Sequence, residues 1–351
     1  MRNLKKYFLF IFFGFCIVIT AFFVFKSFFN KSTNNVDIRV GYDIESINNV
    51  PIIIAHERGL FNKHGLVVNL IPLKSGKEIA QTLAIGGIDI GSAGVTNFFI
   101  PISKGAPVKI IAPTTMSPTY VYVRPDSHIE TLGDLAGKTI ASSRGESSNF
   151  VLQYVLKREN IDVSSITFLD IEDTYRPIAL MEKKIVDAVV VSGGKESLYK
   201  KVGAVILKEW ETKGYINKTF PRIVIAVNAD FVSKNPKKVE KFIDAFIESQ
   251  RFVNSNPKES AQLVSQYINL GTNGTVNFSP DEIQESWRGD LVQYLLWYDP
   301  SVFVDLAKIS KEIGDIENVI TLEQIFDLRF EQKLKAAQIE IYNNDNNETK
   351  N

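Results

Sequence analysis

The amino-acid sequence predicts an α/β protein built from βαβ units. Two observations support this class. Short runs rich in β-branched residues alternate with stretches of helical periodicity between residues 36 and 228, and helices with well-marked starts follow toward the end of the chain. Hydrophobic residues make up 45% and charged residues 23% of the 351 positions, which is typical of a globular protein. A chain of this length forms two domains or one large domain.

The predicted elements fall into two alternating sets. We expect strands at residues 36–42, 66–71, 88–92, 108–112, 120–124, 138–141, 166–169, 188–191 and 222–228, and helices at 51–58, 78–85, 95–104, 147–159 and 174–183. Beyond residue 228 the pattern is helical, and four residues offer N-caps: Asn235, Asn256, Ser279 and Thr321. The polar end of the chain, residues 341–351, is expected to be disordered.

An uncharged apolar run occupies residues 7–25. As a helix at about 1.5 Å per residue it would reach about 28 Å, close to the roughly 30 Å hydrocarbon core of a bilayer. Arg2, Lys5 and Lys6 precede the run, so the positive-inside rule leaves the N-terminus in the cytoplasm and exports the body. We therefore expect residues 1–35 to be a transmembrane anchor or signal helix with a linker. The body is expected at the periplasmic or extracellular face of the membrane.

Three interpretations of this apolar segment are open. The length of the run favours an uncleaved membrane anchor. A cleaved signal peptide would use Ile19-Thr20-Ala21, the one passable cleavage site. Lipidation of Cys16 would need a small residue before it, where Phe15 stands. All three export the body.

The formal net charge of zero hides a segregation of charge. The first 35 residues hold five basic residues and no acidic one, which leaves 35 basic against 40 acidic residues in the remainder, a net of −5. A mildly acidic body argues against a nucleic-acid partner, because phosphate binding needs a concentrated basic surface.

The familiar catalytic signatures are incomplete in this sequence. His56-Glu57 begins like the H-E-x-x-H motif of zinc proteases, but Leu60 stands where the second histidine belongs. Cys16 is the single cysteine and lies in the apolar run, so the body has no cysteine for a disulfide, a metal site or a catalytic thiol. The sequence therefore predicts a protein that is not an enzyme and that uses no metal and no cofactor.

Three predicted strand-to-helix junctions are rich in Gly and Ser: residues 91–96, 142–149 and 192–194. In open α/β sheets, ligands bind at the carboxyl ends of strands, where helix N-termini present free N–H groups that favour anions. Small residues let a ligand approach the backbone there. At any single junction the same residues are explained as turn and cap residues. Three such junctions, distributed over both sets of strands, favour a binding site.

Residues 54–66 read IAHERGLFNKHGL. This stretch resembles the A-x-E-x-G-L-F-x-x-x-G-L signature of substrate-binding proteins of the nitrate/sulfonate/taurine and thiamine-pyrimidine type. Further matches follow in order at Ser75-Gly76, at residues 83–91, 105–109, 123–127 and 132–138, and within 179–188. The resemblance extends from about residue 36 to about residue 337.

The resemblance implies a two-lobed clamshell, the type II fold of periplasmic binding proteins, whose chain crosses the hinge twice. Lobe 1 would consist of residues 36–119 and 227–340, and lobe 2 of residues 120–226. Such a protein is expected to be a monomer that encloses a small-molecule ligand by hinge closure. Its partner would be the permease of an ABC importer.

The resemblance also implies ligand-binding residues at the strand ends that face the cleft. They are Tyr42, Asp43, Ser92, Ala93, Gly94, Thr114, Thr115, Arg144, Ser147, Ser148, Ser192 and Gly193. The planar guanidinium of Arg144 can pair bidentately with a sulfonate or carboxylate; the alternatives are a surface salt bridge with Glu146 and exposure to solvent. Tyr42 either lays its ring on the ligand or closes the first strand.

The expected ligand is a small organic anion of the sulfonate, taurine or nitrate kind. A thiamine-pyrimidine precursor or another heterocycle is the alternative, although pyrimidine-binding members carry Trp and Pro where this chain has residues 42–45. Asp43 and Glu45 suit an anionic ligand only if they face away from it. An enzyme resembling the fungal thiamine-pyrimidine synthase is a weaker alternative because the body lacks cysteine, and a membrane-tethered sensor would need a separate output protein.

Overall fold

A computed structural model of the chain describes residues 36–44, 46, 49–143, 145–171, 176–193, 196–215, 221–274, 277–287 and 293–348. The predicted anchor or signal helix in residues 1–35 lies outside this set, and so does Arg144. In the part of the chain that is described, no helix combines the length and the apolar character needed to cross a bilayer. The described residues from Ile38 onward belong to one compact unit.

The strands form two sheets. The strands are β1 Ile38–Asp43, β2 Val68–Leu73, β3 Ile90–Gly94, β4 Val108–Met116, β5 Thr119–Val123, β6 Thr139–Ser142, β7 Thr167–Asp170, β8 Ala188–Ser192, β9 Val205–Ile206, β10 Pro221–Asn228 and β11 Gln293–Tyr294. The larger sheet has the order β11-β4-β10-β3-β1-β2, and the smaller sheet has the order β7-β6-β8-β5-β9. The predicted α/β class with two sets of strands is confirmed.

Helices cover both sheets. They are α1 Val50–Glu57, α2 Leu60–Lys63, α3 Gly76–Ala84, α4 Val95–Ser103, α5 Ser147–Arg158, α6 Arg176–Glu182, α7 Glu196–Lys201, α8 Lys208–Thr212, α9 Ala229–Lys234, α10 Pro236–Ser255, α11 Pro257–Gly271, α12 Pro280–Trp287, α13 Ser301–Ile313, α14 Leu322–Ile325 and α15 Glu331–Glu348. Short 3₁₀ turns lie at Pro125–Ser127, Gly133–Leu135, Val163–Ser165 and Leu328–Phe330.

Helices begin directly after all four predicted cap residues, but only two of the four side chains form a cap hydrogen bond. At Ser279 and Thr321 the side-chain oxygen accepts the backbone N–H of the residue three positions on. Asn235 and Asn256 instead donate their side-chain amides to Phe231 and Phe252 of the preceding helices. These two asparagines therefore stand at the predicted N-cap positions, but their side chains bond to the helix before them.

We use lobe 1 for the larger sheet with its helices and lobe 2 for residues 119–215. In lobe 1, β1 runs parallel to both β2 and β3. In lobe 2, β6 runs parallel to both β7 and β8. Because parallel strands end at the same edge of a sheet, each lobe gathers several strand-to-helix junctions at one edge. These edges carry the serines that the sequence analysis singled out.

The chain passes between the sheets at Ser117-Pro118, which link β4 to β5. It returns before β10, which pairs antiparallel with β4 from Pro221 to Asn228 and with β3 from Ile223 to Val227. The return to lobe 1 therefore begins ahead of the expected boundary at 226/227. The pairing partners, which are far away in sequence, decide this position.

The final helix continues beyond the expected end of the fold at residue 340. Helix α15 extends to Glu348, whereas residues 341–351 were expected to be disordered. Leu334, Ala337 and Ile341 are buried and belong to the same hydrophobic cluster as Phe242 and Phe246 of α10. This apolar face explains why the helix passes residue 340.

Helix α13 joins the two lobes on one side. Phe303 and Leu306 of α13 share a cluster of buried side chains with Phe98 of α4 in lobe 1 and Phe150 of α5 in lobe 2. A continuous core on this side stabilises the arrangement through apolar burial. The polar cavity between the lobes lies elsewhere, at the edges where the parallel strands of the two sheets end.

Asp89, just before β3, accepts a set of hydrogen bonds from Arg39 in β1 and so links these two neighbouring strands of lobe 1. Its carboxylate accepts the Arg39 backbone N–H at 2.8 Å and the Arg39 guanidinium at 2.7 and 3.0 Å, and Asp89 is 8% exposed. Arg39 also donates to the carbonyls of Gly86 and Gly87.

We expect Asp89→Ala to lower the free energy of unfolding by about 2–3 kcal/mol in urea titrations, because it leaves the charged Arg39 guanidinium without its acceptor.

A matched control is the exposed Asp305, which pairs with Lys308 at 2.7 Å on the surface of α13. Asp305→Ala should change the free energy of unfolding by less than about 1 kcal/mol, because solvent screens such a pair. Equal effects of the two substitutions would contradict a structural role for the Asp89 network.

Candidate ligand-binding site

A cavity lies between the two sheets, at the edges where their parallel strands end. Residues from both lobes line it. Its volume is about 100 Å³, below the roughly 300–1,000 Å³ of pockets that hold drug-sized ligands. The cavity therefore suits a small solute.

Three helices begin at this cavity. Gly76 is the first residue of α3, Gly94 precedes α4, and Ser147 is the first residue of α5. All three line the cavity. The first N–H groups of a helix have no partner within the helix and carry a partial positive charge. Three such ends around one small space favour the binding of an anion.

The lobe 1 wall is held in place by a chain of hydrogen bonds. Ser92 donates its hydroxyl to Asn49 Oδ1 at 2.7 Å, and Asn49 Nδ2 donates to the Asp43 carbonyl at 2.9 Å. Ser75 caps α3, since its Oγ accepts the Glu78 N–H at 3.2 Å. The Ser92 hydroxyl hydrogen is thus already used within the protein, so towards a ligand this hydroxyl can act only as an acceptor.

The lobe 2 wall is rich in serine. Ser142, Ser143, Ser147, Ser148 and Ser192 all line the cavity. The Ser143 hydroxyl is buried and has no hydrogen-bond partner among the described residues. A buried hydroxyl without a partner carries a desolvation cost that a bound ligand would remove. This wall therefore offers donors to a ligand oxygen.

The charged members of the described lining are Asp43, Lys74 and Glu146. The two carboxylates belong to different lobes, and the ammonium group comes from lobe 1. Two carboxylates in the lining oppose a ligand with several negative charges. The lining therefore favours a small ligand with one anionic group and additional polar groups over a multiply charged anion.

Arg222 anchors the hinge next to the cavity. Its side chain is 0% exposed, and Nε donates to the Ser117 carbonyl at 2.6 Å while Nη1 donates to the Ser147 carbonyl at 3.2 Å. Burial lowers the pKa of Arg222 to about 9, so the guanidinium stays charged at neutral pH. Through Arg222, strand β10 of lobe 1 is thus bonded both to the segment that crosses between the lobes and to the first turn of α5 in lobe 2.

The cavity brings together seven of the predicted residues. They are Asp43, Ser92, Ala93, Gly94, Ser147, Ser148 and Ser192. Arg144 lies outside the described residues, so its predicted contact with the ligand stays a prediction.

Tyr42 is not in the cavity lining. It is 1% exposed, and its hydroxyl lies 2.7 Å from the hydroxyl of Tyr267 in α11. Burial, followed by the hydrogen bond with Tyr267, raises the pKa of Tyr42 above its usual range. Of the two roles considered for Tyr42, its contacts are those of a residue that closes the strand against a helix.

Thr114, Thr115 and Gly193 are also absent from the lining. The threonines are fully buried inside β4, which continues to Met116 instead of ending at residue 112. Gly193 donates its N–H to the Pro118 carbonyl at 2.9 Å and packs against that proline. All three therefore belong to the hinge region rather than to the cavity wall.

Several residues of the lining were not predicted from the sequence. They include Ser46, Asn49, Lys74, Ser75, Gly76 and Glu146. The segment after β2 carries a recognisable signal, because Ser75 and Glu78 form the Ser-x-x-Glu pattern of a helix start directly after a strand. No group of three or more His, Cys, Asp or Glu side chains in the described residues is placed to hold a metal ion.

Comparison with known proteins adds two kinds of likeness. A putative binding protein of Brucella abortus (strain 2308) is 24% identical over 237 residues, which cover 68% of this chain and 73% of that protein. A putative ABC transporter periplasmic binding protein of Brachyspira hyodysenteriae is 24% identical over 254 residues, covering 68% and 72%.

Among solved structures, the alkanesulfonate-binding protein SsuA from Xanthomonas axonopodis pv. citri, bound to MOPS, superposes with a TM-score of 0.68 at 18% identity. The match covers 82% of this chain and 97% of that one, and it shows the periplasmic-binding-protein fold. The family model described as "NMT1/THI5 like" matches residues 46–260, which is more than half of the chain. The chain therefore belongs to the NMT1/THI5 like family.

Proposed function

We propose that this protein is the solute-binding component of an ABC importer and that it captures a small organic anion, of the sulfonate, taurine or nitrate kind, between its lobes by hinge closure. It delivers the ligand unchanged to a permease, as a monomer and without catalysis. The observation that carries the proposal is the serine-rich cavity at which three helices of two lobes begin.

The chemistry of capture follows from this arrangement. With the lobes apart, the lobe 1 wall is exposed to solvent and the ammonium group of Lys74 in it attracts an anion. Closure brings the α5 N-terminus and the lobe 2 serines to the other side of the ligand, and each charged hydrogen bond contributes about 1.5–3 kcal/mol. Ligand contacts made only in the closed form shift the lobes toward closure.

The importer role draws on the named relatives. The Brachyspira hyodysenteriae relative is named as a periplasmic binding protein of an ABC transporter, and the Xanthomonas axonopodis neighbour binds an alkanesulfonate. Such a role requires export, which agrees with the charge pattern of residues 1–35. We propose that the body lies at the periplasmic or extracellular face of the membrane, anchored by that segment.

A second candidate ligand is a thiamine-pyrimidine precursor or a related heterocycle. Asp43 and Glu146 in the cavity wall favour it, because carboxylates accept hydrogen bonds from ring amino groups. Against it stands the composition of the lining, in which none of the described residues is aromatic. A ring bound without aromatic stacking loses a major source of affinity for heterocycles.

A thermal-shift panel on the full-length protein tests the proposal. The panel contains alkanesulfonates, taurine, nitrate, small carboxylates and aminopyrimidines. A ligand at about 100 times its Kd stabilises the folded state by about 2.7 kcal/mol, so we expect a clear rise in Tm with a sulfonate or a related anion. A rise with aminopyrimidines alone would replace the anion by the heterocycle, and no rise with any compound would contradict both candidates.

A further inference from the structure

Glu146 reaches across the cleft. It precedes α5 in lobe 2, and its Oε1 accepts the backbone N–H of Gly76, the first residue of α3 in lobe 1, at 3.2 Å. Both residues line the cavity. A protein carboxylate thus occupies one of the three helix N-termini that surround the cavity, in the position that an anionic ligand group would otherwise take.

Two glycines make room for this carboxylate. A Cβ built on Gly76 would lie 2.8 Å from Glu146 Oε1 and 2.4 Å from Asn97 Nδ2. A Cβ built on Gly94 would lie 3.5 Å from Glu146 Oε2 and 2.8 Å from Asn97 Nδ2. We call Gly76 and Gly94 the glycine seat. A side chain on Gly76 would displace the carboxylate or the asparagine.

Asn97 forms the floor beside the seat. It lies in the first turn of α4, is 3% exposed, and neither atom of its amide has a hydrogen-bond partner among the described residues. Its Nδ2 lies within 3 Å of the Cβ positions built on Gly76 and on Gly94. A buried amide without a hydrogen-bond partner destabilises the folded protein. The position of Asn97 beside Gly76 and Gly94 therefore indicates a surface that receives a polar group.

A second interlobe bond lies next to the first. Thr96 in α4 donates its hydroxyl to the carbonyl of Gly145 at 3.0 Å, and this contact is buried. Gly145 has a φ of +87°, a left-handed conformation that favours glycine. The turn formed by Gly145 and Glu146 therefore docks as a unit against the starts of α3 and α4.

We propose that Glu146 is the closing latch of the two lobes: its carboxylate docks on the glycine seat on closure and stays there when ligand is bound. Glu146 therefore affects the equilibrium between open and closed lobes equally for every ligand. The anionic group of the ligand binds instead to the α5 N-terminus and the lobe 2 serines. The proposal rests on the proposed function for its ligand part. Its closure part concerns the ligand-free protein and stands independently.

The test measures opening and affinity in the full-length protein. Spin labels on Lys200→Cys and Asp281→Cys, in a Cys16→Ser background, flank the Lys201–Glu282 ion pair that joins α7 of lobe 2 to α12 of lobe 1. In the ligand-free protein we expect Glu146→Ala to lengthen the distance between the labels. Kd for each ligand found by the panel should rise about tenfold, by a similar factor for all ligands, because a charge-assisted hydrogen bond is lost.

Three companion variants separate a latch from a general structural role. Glu146→Gln keeps an acceptor for the Gly76 N–H and should raise Kd by only about threefold. Gly76→Ala fills the seat and should act like Glu146→Ala, and the two together should not add, because they remove one interaction. Glu130→Ala, a carboxylate of lobe 2 in an exposed ion pair with Lys208, should leave the label distance and every Kd unchanged.

The outcomes distinguish this inference from the proposed function. An unchanged label distance in Glu146→Ala would overturn the latch whether or not a ligand is known. A loss of affinity for one ligand class alone would also overturn it, because Glu146 would then be a direct ligand contact. If no compound in the panel binds, the label distances still decide whether Glu146 closes the lobes.

Discussion

Replacing Arg222 by alanine should lower the free energy of unfolding by about 3 kcal/mol or more. The side chain is completely buried, and the substitution removes both the 2.6 Å bond to the Ser117 carbonyl and the bond to the Ser147 carbonyl. Buried acceptors left without donors and a cavity of this size are each costly. Urea denaturation of the full-length protein measures the effect.

The same substitution should loosen the hinge, because Arg222 joins the interlobe crossing to the first turn of α5. Arg251 is the matched control, since it is an arginine of lobe 1 in an exposed ion pair with Glu340. Arg251→Ala should change the free energy of unfolding by less than about 1 kcal/mol. If Arg222→Ala unfolds at the same urea concentration as the wild type, the buried guanidinium does not stabilise the contact between the interlobe crossing and α5.

Gly94→Val should reduce ligand affinity by at least about 100-fold while leaving the protein folded. Gly94 lies between the lobes, and a Cβ there would sit 2.8 Å from Asn97 Nδ2 in lobe 1 and 3.3 Å from Ser147 Oγ in lobe 2. The branched side chain of valine would hold the lobes apart and remove the lobe 2 contacts with the ligand. Two lost charged hydrogen bonds account for a factor of this size. Isothermal titration calorimetry measures the change in Kd.

Gly133→Val provides the control for glycine replacement as such. Gly133 lies in lobe 2, and the atom nearest to a Cβ built there is Thr131 Oγ1 at 3.6 Å, an ordinary contact distance. Its Kd should match that of the wild type. Wild-type affinity in Gly94→Val would show that the ligand does not depend on closure at this point.

Local sequence patterns predicted most of the strands and helices, because each has a clear periodicity and a marked start. The sheet to which β10 belongs was harder to predict. Its apolar alternation fits either sheet, and pairing with β3 and β4, more than 100 residues earlier in the chain, places it in lobe 1. The end of α15 was missed for a related reason, since the buried face of Ile341 depends on the distant helix α10.

The position of a residue in the cavity lining was predictable near the end of a strand or at the helix start that follows it, as at Ser92, Ser147 and Ser192. It was not predictable where a long-range contact takes the side chain away from the cavity. Tyr42 meets Tyr267, which is 225 positions further along the chain. The role of Glu146 depends on Gly76 in the other lobe, and local pattern carries no information about such a contact.

A crystal of the protein grown with 2-bromoethanesulfonate would show where the anion binds, because bromine scatters anomalously and marks the ligand without ambiguity. We expect one strong bromine peak inside the cavity between Ser92 and Ser148, with the sulfonate oxygens within hydrogen-bond distance of the first N–H groups of α5. A bromine peak elsewhere on the protein, or an empty cavity in crystals grown at a concentration well above the Kd measured in solution, would contradict capture of the anion between the lobes.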